Sequence, residues 1–303
     1  MEEKKMNYIF NTIEYCNMCG SETKGHKILG KRLNRSQGKH PENKIGITVT
    51  ICKCTNCGLV YSNPQPVPVN IQDHYGTPPE SYWKSDYFKF DENYFKNEIE
   101  RLNKLIFIRK GMNSLDIGAG LGKQMIALSS IGFNAYGIEP SVPFYDRAIS
   151  EMNIEADRLK LATVEEVEYS ENFFDFISFG VVLEHLYDPS TAINRAMRWL
   201  KPGGIIHIEV PSSEWLINKL INLYYKIKFN DYVGNLSPMH IPYHLYEFSL
   251  KSFELHEKKN YEIAFYEYYV CKTFLPSYLD FLVKPLMKRT NTGMQLCVWL
   301  RKI

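Results

Sequence analysis

Five of the seven cysteines fall between Cys16 and Cys57. Four of them stand as two Cys-x-x-Cys-Gly knuckles, Cys16-Asn17-Met18-Cys19-Gly20 and Cys54-Thr55-Asn56-Cys57-Gly58. This spacing lets each pair of thiolates chelate one tetrahedral ion, with zinc the expected metal. Four thiolates close the coordination sphere, so the expected role is structural. The glycine after each second cysteine permits a positive φ, which lets backbone amides turn toward the sulfurs. A redox role is disfavoured because neither Cys-x-x-Cys opens a helix. Cys52 is a spare thiol on the incoming strand, and Cys271 and Cys297 read as small core residues.

A second constellation is Leu115-Asp116-Ile117-Gly118-Ala119-Gly120-Leu121-Gly122, three glycines at a strand-to-helix turn where a ligand can approach the backbone. A nicotinamide or flavin fingerprint needs its third glycine at position 123, which is Lys123, so a dinucleotide reading loses ground. Two acids stand instead around the loop. Asp116 precedes it, and Glu139 ends the next strand in Tyr136-Gly137-Ile138-Glu139-Pro140. The pair suits a cationic, ribose-bearing ligand.

These residues resemble the class I S-adenosylmethionine-dependent methyltransferases, whose first strand ends in Asp/Glu-x-Gly-x-Gly-x-Gly and whose second ends in an acid that binds the ribose hydroxyls. Asp116, Gly118, Gly120, Gly122 and Glu139 match residue for residue. The likeness continues through Phe174-Asp175-Phe176-Ile177, Leu183-Glu184-His185-Leu186 with Asp188-Pro189, and Leu200-Lys201-Pro202-Gly203-Gly204. It implies an α/β fold with a Rossmann-like seven-stranded sheet, helices on both faces and an antiparallel last strand at Gln295 to Arg301. Where many relatives carry an acid that contacts the adenine, this chain reads Leu161-Ala162-Thr163-Val164-Glu165, so Thr163 or a backbone group would have to serve. Thr163 and Glu166 also read as a helix capping box.

The cysteine segment is similar to the N-terminal zinc ribbon of bacterial methyltransferases in sugar and surface-polysaccharide pathways, through Cys57-Gly58-Leu59-Val60-Tyr61-Ser62-Asn63-Pro64. The resemblance implies a sugar-type small-molecule acceptor, methylated at oxygen or carbon. A competing resemblance is to ribosomal-RNA methyltransferases that grip RNA with a zinc finger. Here Lys24, Lys27, Lys31, Arg32, Arg35 and Lys39 would contact phosphates, although such lysines are more often merely solvated. A regulator that binds the cofactor without catalysis is the third alternative.

Methyl transfer from a sulfonium aligns donor and acceptor and, for a hydroxyl or carbon acid, removes a proton. Candidate bases are His185, after the fourth strand, and His244 in Pro238-Met239-His240-Ile241-Pro242-Tyr243-His244-Leu245-Tyr246-Glu247-Phe248-Ser249. The second segment resembles the His-Leu-x-x-Phe-Ser/Thr element of the same relatives, with His244 the matched histidine and Tyr243 a further candidate. His244 is expected nearer the acceptor and His185 nearer the donor. Glu184-His185 resembles the end of a Glu-x-x-Glu-His metal motif found in some relatives, but Val181 stands at its first acid, so metal-assisted methylation is not expected.

The elements that must hold these residues alternate. Strands at Ser114 to Ile117, Ala135 to Ile138, Phe174 to Phe179 and Ile205 to Val210 are separated by helices at Lys123 to Ile131, Tyr145 to Met152 and Thr191 to Leu200, with a turn at Lys201 to Gly204. A helix is expected over Glu98 to Lys110. The boundaries expected are a zinc-ribbon module at 12–63, an aromatic-rich bridge at 64–97 that includes Pro78-Pro79 and Tyr82-Trp83, and a methyltransferase domain at 98–303 with an acceptor lid at 211–290. At 303 residues and 45 % apolar composition the chain can bury a large core plus a small module. The sequence has no secretory-type apolar start and no run of ~20 apolar residues, so a cytoplasmic location is expected. Leu275 to Met287, flanked by Lys284, Lys288 and Arg289, allows weak interfacial membrane contact at most.

Overall fold

The computed structural model describes residues 8–32, 47–76, 88–236, 243–271, 273 and 275–303. Arg35, Lys39, Pro78, Pro79, Tyr82, Trp83 and the stretch 238–242 lie outside the described residues.

The N-terminal part contributes β1 (Tyr8–Asn11), β2 (Lys27–Arg32), β3 (Thr50–Lys53), β4 (Val60–Ser62), β5 (Gln65–Pro68) and a short helix α1 (Ile71–Tyr75). The alternating part follows as α2 (Lys96–Leu105), β6 (Asn113–Ile117), α3 (Lys123–Ser130), β7 (Asn134–Glu139), α4 (Val142–Ser150), β8 (Leu159–Leu161), β9 (Phe174–Gly180), α5 (Pro189–Trp199) and β10 (Leu200–Pro211). After it come α6 (Leu216–Ile227), β11 (Tyr232–Val233), β12 (Tyr246–Glu247), α7 (Leu250–Glu254), β13 (Tyr261–Tyr269), α8 (Asp280–Arg289) and β14 (Gln295–Lys302).

Seven strands form the central sheet in the order β13-β14-β10-β9-β6-β7-β8. Strands β10 to β8 of that order run parallel, while β14 is antiparallel to both β10 and β13. This is the expected seven-stranded methyltransferase-type sheet with its last strand reversed. Successive residues of a strand face opposite sides. Ile206, Ile208, Leu296 and Val298 accordingly join one core with Ile193 and Met197 of α5. Ile205, Cys297 and Trp299 join the other core with Leu102 of α2, Leu128 of α3 and Ala148 of α4. Helix α5 starts where Asp188 accepts a hydrogen bond from the Thr191 amide at 2.9 Å and Pro189 supplies a pre-set φ, which is the local reason for the Asp188-Pro189 pair.

Three details depart from expectation. Lys201 to Gly204 is not a turn; it is a register shift inside β10, with Gly203 at φ 76° absorbing the irregularity. Helix α2 stops at Leu105, since Ile106 adopts extended backbone ahead of Phe107 and Ile108. Thr163 and Glu166 form only half of a capping box, with the Thr163 amide and hydroxyl both donating to Glu166 Oε2 at 3.0 and 3.1 Å, and they close a turn that no helix continues.

A second sheet runs β11-β2-β3-β4-β12. Its three inner strands come from the cysteine-bearing segment and both outer strands from the region after β10. Tyr232 and Val233 pair with Lys31 and Arg32, and Tyr246 and Glu247 pair with Tyr61 and Val60. The expected ribbon and the expected lid thus share one sheet, and Cys16, Met18, Cys57 and Tyr61 belong to the same apolar core as the central strands.

Candidate active site and cysteine centre

At the carboxyl ends of β6, β7 and β9, where open α/β sheets bind ligands, lies a cavity of about 870 Å³. The glycine loop forms its floor through Gly118 and Gly120. Gly118 has φ 74°, and a Cβ there would stand 2.5 Å from Val182 Cγ2, so both backbone conformation and space require glycine. Glu139 lies in the cavity wall. Its Oε2 accepts from the Gly120 amide at 2.7 Å and its Oε1 from the Ser141 amide at 2.8 Å, so one carboxylate ties the loop to the end of β7. Burial pushes its pKa up to about 7 against those two amide bonds.

Asp116 sits beneath the loop and is not part of the cavity wall. Its Oδ1 accepts from Ser178 Oγ at 3.1 Å, and Gln124 Nε2 donates in turn to Ser178 Oγ. Burial raises Asp116 to about 7 as well; the Ser178 bond opposes the shift and Glu139 adds to it. Gly122 is placed at the start of α3 with φ 74°, outside the wall, whereas Thr163 lines it.

His185 and His244 also line the cavity. Their rings lie 4.8 Å apart at 78°. His185 Nδ1 donates to the Tyr243 carbonyl at 3.0 Å, and the Leu245 amide donates to the Glu184 carbonyl at 2.7 Å, so two loops far apart in the chain are laced together here. The two histidines expected at the donor and acceptor sides are thus in direct ring contact. The Tyr243 side chain is buried away from the wall, its ring near Tyr8, His74 and the Arg32 guanidinium.

Sequence reasoning missed part of this wall. Ile71 and Tyr75 of α1, and Tyr94 just before α2, come from the stretch read as a bridge, yet they line the cavity. Gln72 Nε2 anchors α1 by donating to the Pro140 carbonyl at 2.8 Å. The only sequence signal was the density of aromatic residues from Tyr75 to Phe95.

The four knuckle cysteines converge, all four sulfurs within 4.8 Å of one another. Cys16 Sγ and Cys57 Sγ are 3.6 Å apart, as are Cys19 Sγ and Cys54 Sγ. Bonds of 2.3 Å to a tetrahedral ion separate its sulfurs by about 3.8 Å, so the donor set fits such an ion. Gly20 and Gly58 have φ 68° and 78°, and the Cys57 amide donates to Cys54 Sγ at 3.5 Å. Cys52 is buried on β3 outside the cluster. Cys297 is buried beside His207 and Cys271 is half-buried.

Of the basic residues read as phosphate contacts, Lys24 and Lys27 are exposed, and Arg35 and Lys39 lie outside the described residues. Arg32 is fully buried, and Lys31 pairs with Asp231 at 3.1 Å. Among the described residues no helix is long and apolar enough to cross a membrane.

The chain is 31 % identical over 127 residues to the ubiquinone biosynthesis O-methyltransferase of Bradyrhizobium diazoefficiens, a match covering 40 % of this chain and 47 % of that protein. It is 32 % identical over 117 residues to the demethylmenaquinone methyltransferase of Staphylococcus aureus, covering 35 % and 46 %. The chain spans about half the length of the curated relatives it matches. A solved S-adenosylmethionine-dependent methyltransferase of Methanosarcina mazei is 18 % identical, with a TM-score of 0.48, over 68 % of this chain and 97 % of that one. The methyltransferase domain family is matched over residues 87–255, more than half of the chain, and on that match the chain belongs to the methyltransferase domain family.

Proposed function

We propose that the protein transfers the methyl group of S-adenosylmethionine to a small hydroxylated acceptor. The observation that carries this reading is one cavity lined by the glycine loop, Glu139 and the His185–His244 pair. S-Adenosylmethionine supplies an electrophilic methyl on a sulfonium. In this reading Glu139 accepts hydrogen bonds from ribose hydroxyls, the Gly118 to Gly120 backbone lets the ligand approach closely, and Thr163 faces the adenine. Asp116, tied to β9 through Ser178, contributes negative charge to a cationic ligand. The histidine pair handles the proton that a hydroxyl acceptor must lose.

A zinc ion in the Cys16, Cys19, Cys54 and Cys57 cluster is part of the same proposal, with the structural role that four thiolates dictate. The sugar-type acceptor rests on the resemblance of Cys57 to Pro64 to sugar-pathway relatives; the two curated relatives act, by their names, in quinone biosynthesis. Burial of Arg32 and the pairing of Lys31 with Asp231 weigh against RNA as acceptor. Weak interfacial contact is supported by exposed Phe281, Leu282 and Leu286 of α8 beside Lys288 and Arg289.

The test is mass spectrometry of nucleotide-linked sugars and of hydroxylated quinols, each incubated with protein and isotopically labelled donor. A mass gain identifies acceptor and atom together. Absence of donor binding by calorimetry would overturn the methyltransferase reading itself.

A further inference from the structure

Glu184 is fully buried, and neither oxygen of its carboxyl group has a hydrogen-bond partner among the described residues. A buried carboxyl in that state is expensive in either protonation form. The ionised form loses its hydration with nothing in return, and the neutral form still leaves acceptor capacity unmet.

What surrounds Glu184 is a set of metal-type donors. One carboxylate oxygen of Glu184 and one ring nitrogen each of His185 and His244 all lie within 4.8 Å of one another. The two imidazoles face the cavity, with Glu184 behind them. His185 is oriented as metal-ligating histidines are, with its Nδ1–H held by a backbone carbonyl, that of Tyr243 at 3.0 Å, which assigns Nε2 as the donor atom. The backbone keeps the set in place. Val181, three residues before Glu184, is held at φ 59°, a conformation costly for a β-branched residue. The Leu245 amide bonds the Glu184 carbonyl, so His244 cannot drift from the pair on the other loop.

We propose that Glu184, His185 and His244 form a second metal site, distinct from the four-cysteine centre, which binds one divalent first-row ion in the wall of the cavity. Two imidazoles and a carboxylate suit zinc, manganese or iron(II), and three protein ligands leave coordination positions open toward the cavity. The third ligand comes from the loop before β12, so the Val181 in place of an acid does not leave the set incomplete. An oxygen of the acceptor occupies an open position and becomes more acidic there; this last role rests on the proposed methyl transfer, whereas the metal site itself does not. With the ion present, the histidine pair handles the acceptor's proton by holding the metal that acidifies it, and the proton leaves to solvent.

The experiment is manganese(II) titration of the zinc-loaded full chain, read by the electron paramagnetic resonance signal of free ion, because manganese(II) prefers nitrogen and oxygen donors to thiolates. One manganese per chain is expected, competed by added zinc, with Glu184→Gln and His244→Ala each weakening binding by more than about 100-fold, since even loss of an outer-sphere partner costs 10- to 100-fold. S-Adenosylhomocysteine binding and thermal unfolding, measured on the same samples, show whether the variants are folded. If wild-type protein that binds S-adenosylhomocysteine takes up no manganese and no zinc beyond the ribbon ion, or if folded variants bind manganese as wild type does, the site does not exist. Methyl transfer would still stand in either case. If S-adenosylhomocysteine is not bound at all, the methyl-transfer reading falls instead, and the manganese titration judges the site alone.

Discussion

Asn17, inside the first cysteine knuckle, donates from Nδ2 to the backbone carbonyl of Tyr187 at 2.9 Å. Tyr187 belongs to the loop that also carries His185, Leu186 and Asp188 into the cavity wall. The Tyr246 hydroxyl, from the outer strand of the second sheet, donates to the same carbonyl at 2.9 Å. The cysteine centre is therefore coupled to the wall by direct bonds. Asn17→Ala removes one of the two donors and should lower stability by about 1 kcal/mol, the usual net worth of such a bond. It should also raise the donor dissociation constant severalfold, because the freed loop lines the cavity. Thermal unfolding and calorimetry on one preparation check both; unchanged donor affinity would show that Tyr246 alone fixes the loop.

Much of this was legible in the sequence, and what was not has a physical reason. The strand-helix alternation, the glycine loop, Glu139 and the two knuckles are local patterns, each written in a few consecutive residues. The pairing of Tyr232–Val233 with Lys31–Arg32, and of Tyr246–Glu247 with Tyr61–Val60, is not local. Two-residue strands carry no periodicity, and their partners lie at the other end of the chain. Burial of Arg32 follows from that pairing, which is why a residue read as a phosphate contact is inside the protein. The contact between His185 and His244 likewise depends on how the loop before β12 folds back over the loop after β9. Tyr75 and Tyr94 line the cavity from a stretch whose aromatic content hinted at burial without naming what it would face.

The donor end gives a sharp expectation. Glu139→Ala removes the acceptor of the Gly120 and Ser141 amides and a cavity-facing carboxylate. Asp116→Ala removes the Ser178 contact beneath the loop. Bonds to charged groups are worth about 1.5–3 kcal/mol, so each variant should weaken donor binding by at least about tenfold while the fold survives. Calorimetry with S-adenosylmethionine decides it, and unchanged affinity in both variants would remove the assignment.

The same two carboxyls set a pH dependence. Burial raises Asp116 and Glu139 from 3.8 and 4.5 to about 7 in the folded chain. They bind protons more tightly folded than unfolded, so their contribution to stability is full below about pH 4 and is lost as pH rises through about 7. A cationic donor favours the ionised forms, so its affinity should rise with pH over that window and its binding should release protons. Calorimetry in buffers of different ionisation enthalpy measures the release. Glu139→Gln should reduce it, and no release near pH 6 would contradict the assigned charge states.

The cysteine centre should hold about one zinc per chain by emission spectroscopy, provided the second site is emptied with a mild chelator first. Cys16→Ser and Cys57→Ser should lower thermal stability more than Cys52→Ser, because Cys52 is buried outside the cluster. Ser249 Oγ donates to the Cys57 carbonyl at 2.6 Å and Ser213 Oγ to the Gly58 carbonyl at 3.0 Å. Loss of zinc should therefore be felt beyond the N-terminal segment, as faster hydrogen exchange in β12 and α7. Exchange confined to residues 12–63 would mean that the segment is an independent unit.

The histidine pair carries the last prediction. Both rings line the cavity, but they are anchored differently: His185 is fixed to the Tyr243 carbonyl within the loop that also presents Leu186, Tyr187 and Asp188, whereas His244 lies on the opposite loop. His244→Ala should lower turnover by roughly 10²- to 10⁴-fold, the range for losing proton handling in the transition state, with donor affinity nearly intact. His185→Ala should lower turnover and also weaken donor binding, because its Nδ1 bond helps hold that loop. Tyr243→Phe separates ring from carbonyl: the carbonyl that anchors His185 remains, so turnover should stay close to wild type if the phenol has no part in the chemistry. Single-turnover kinetics beside donor calorimetry reads both quantities. If His244→Ala keeps full activity while Tyr243→Phe loses it, proton handling belongs to the tyrosine. If both keep it, the acceptor is nucleophilic without help, as a nitrogen or an already ionised oxygen would be.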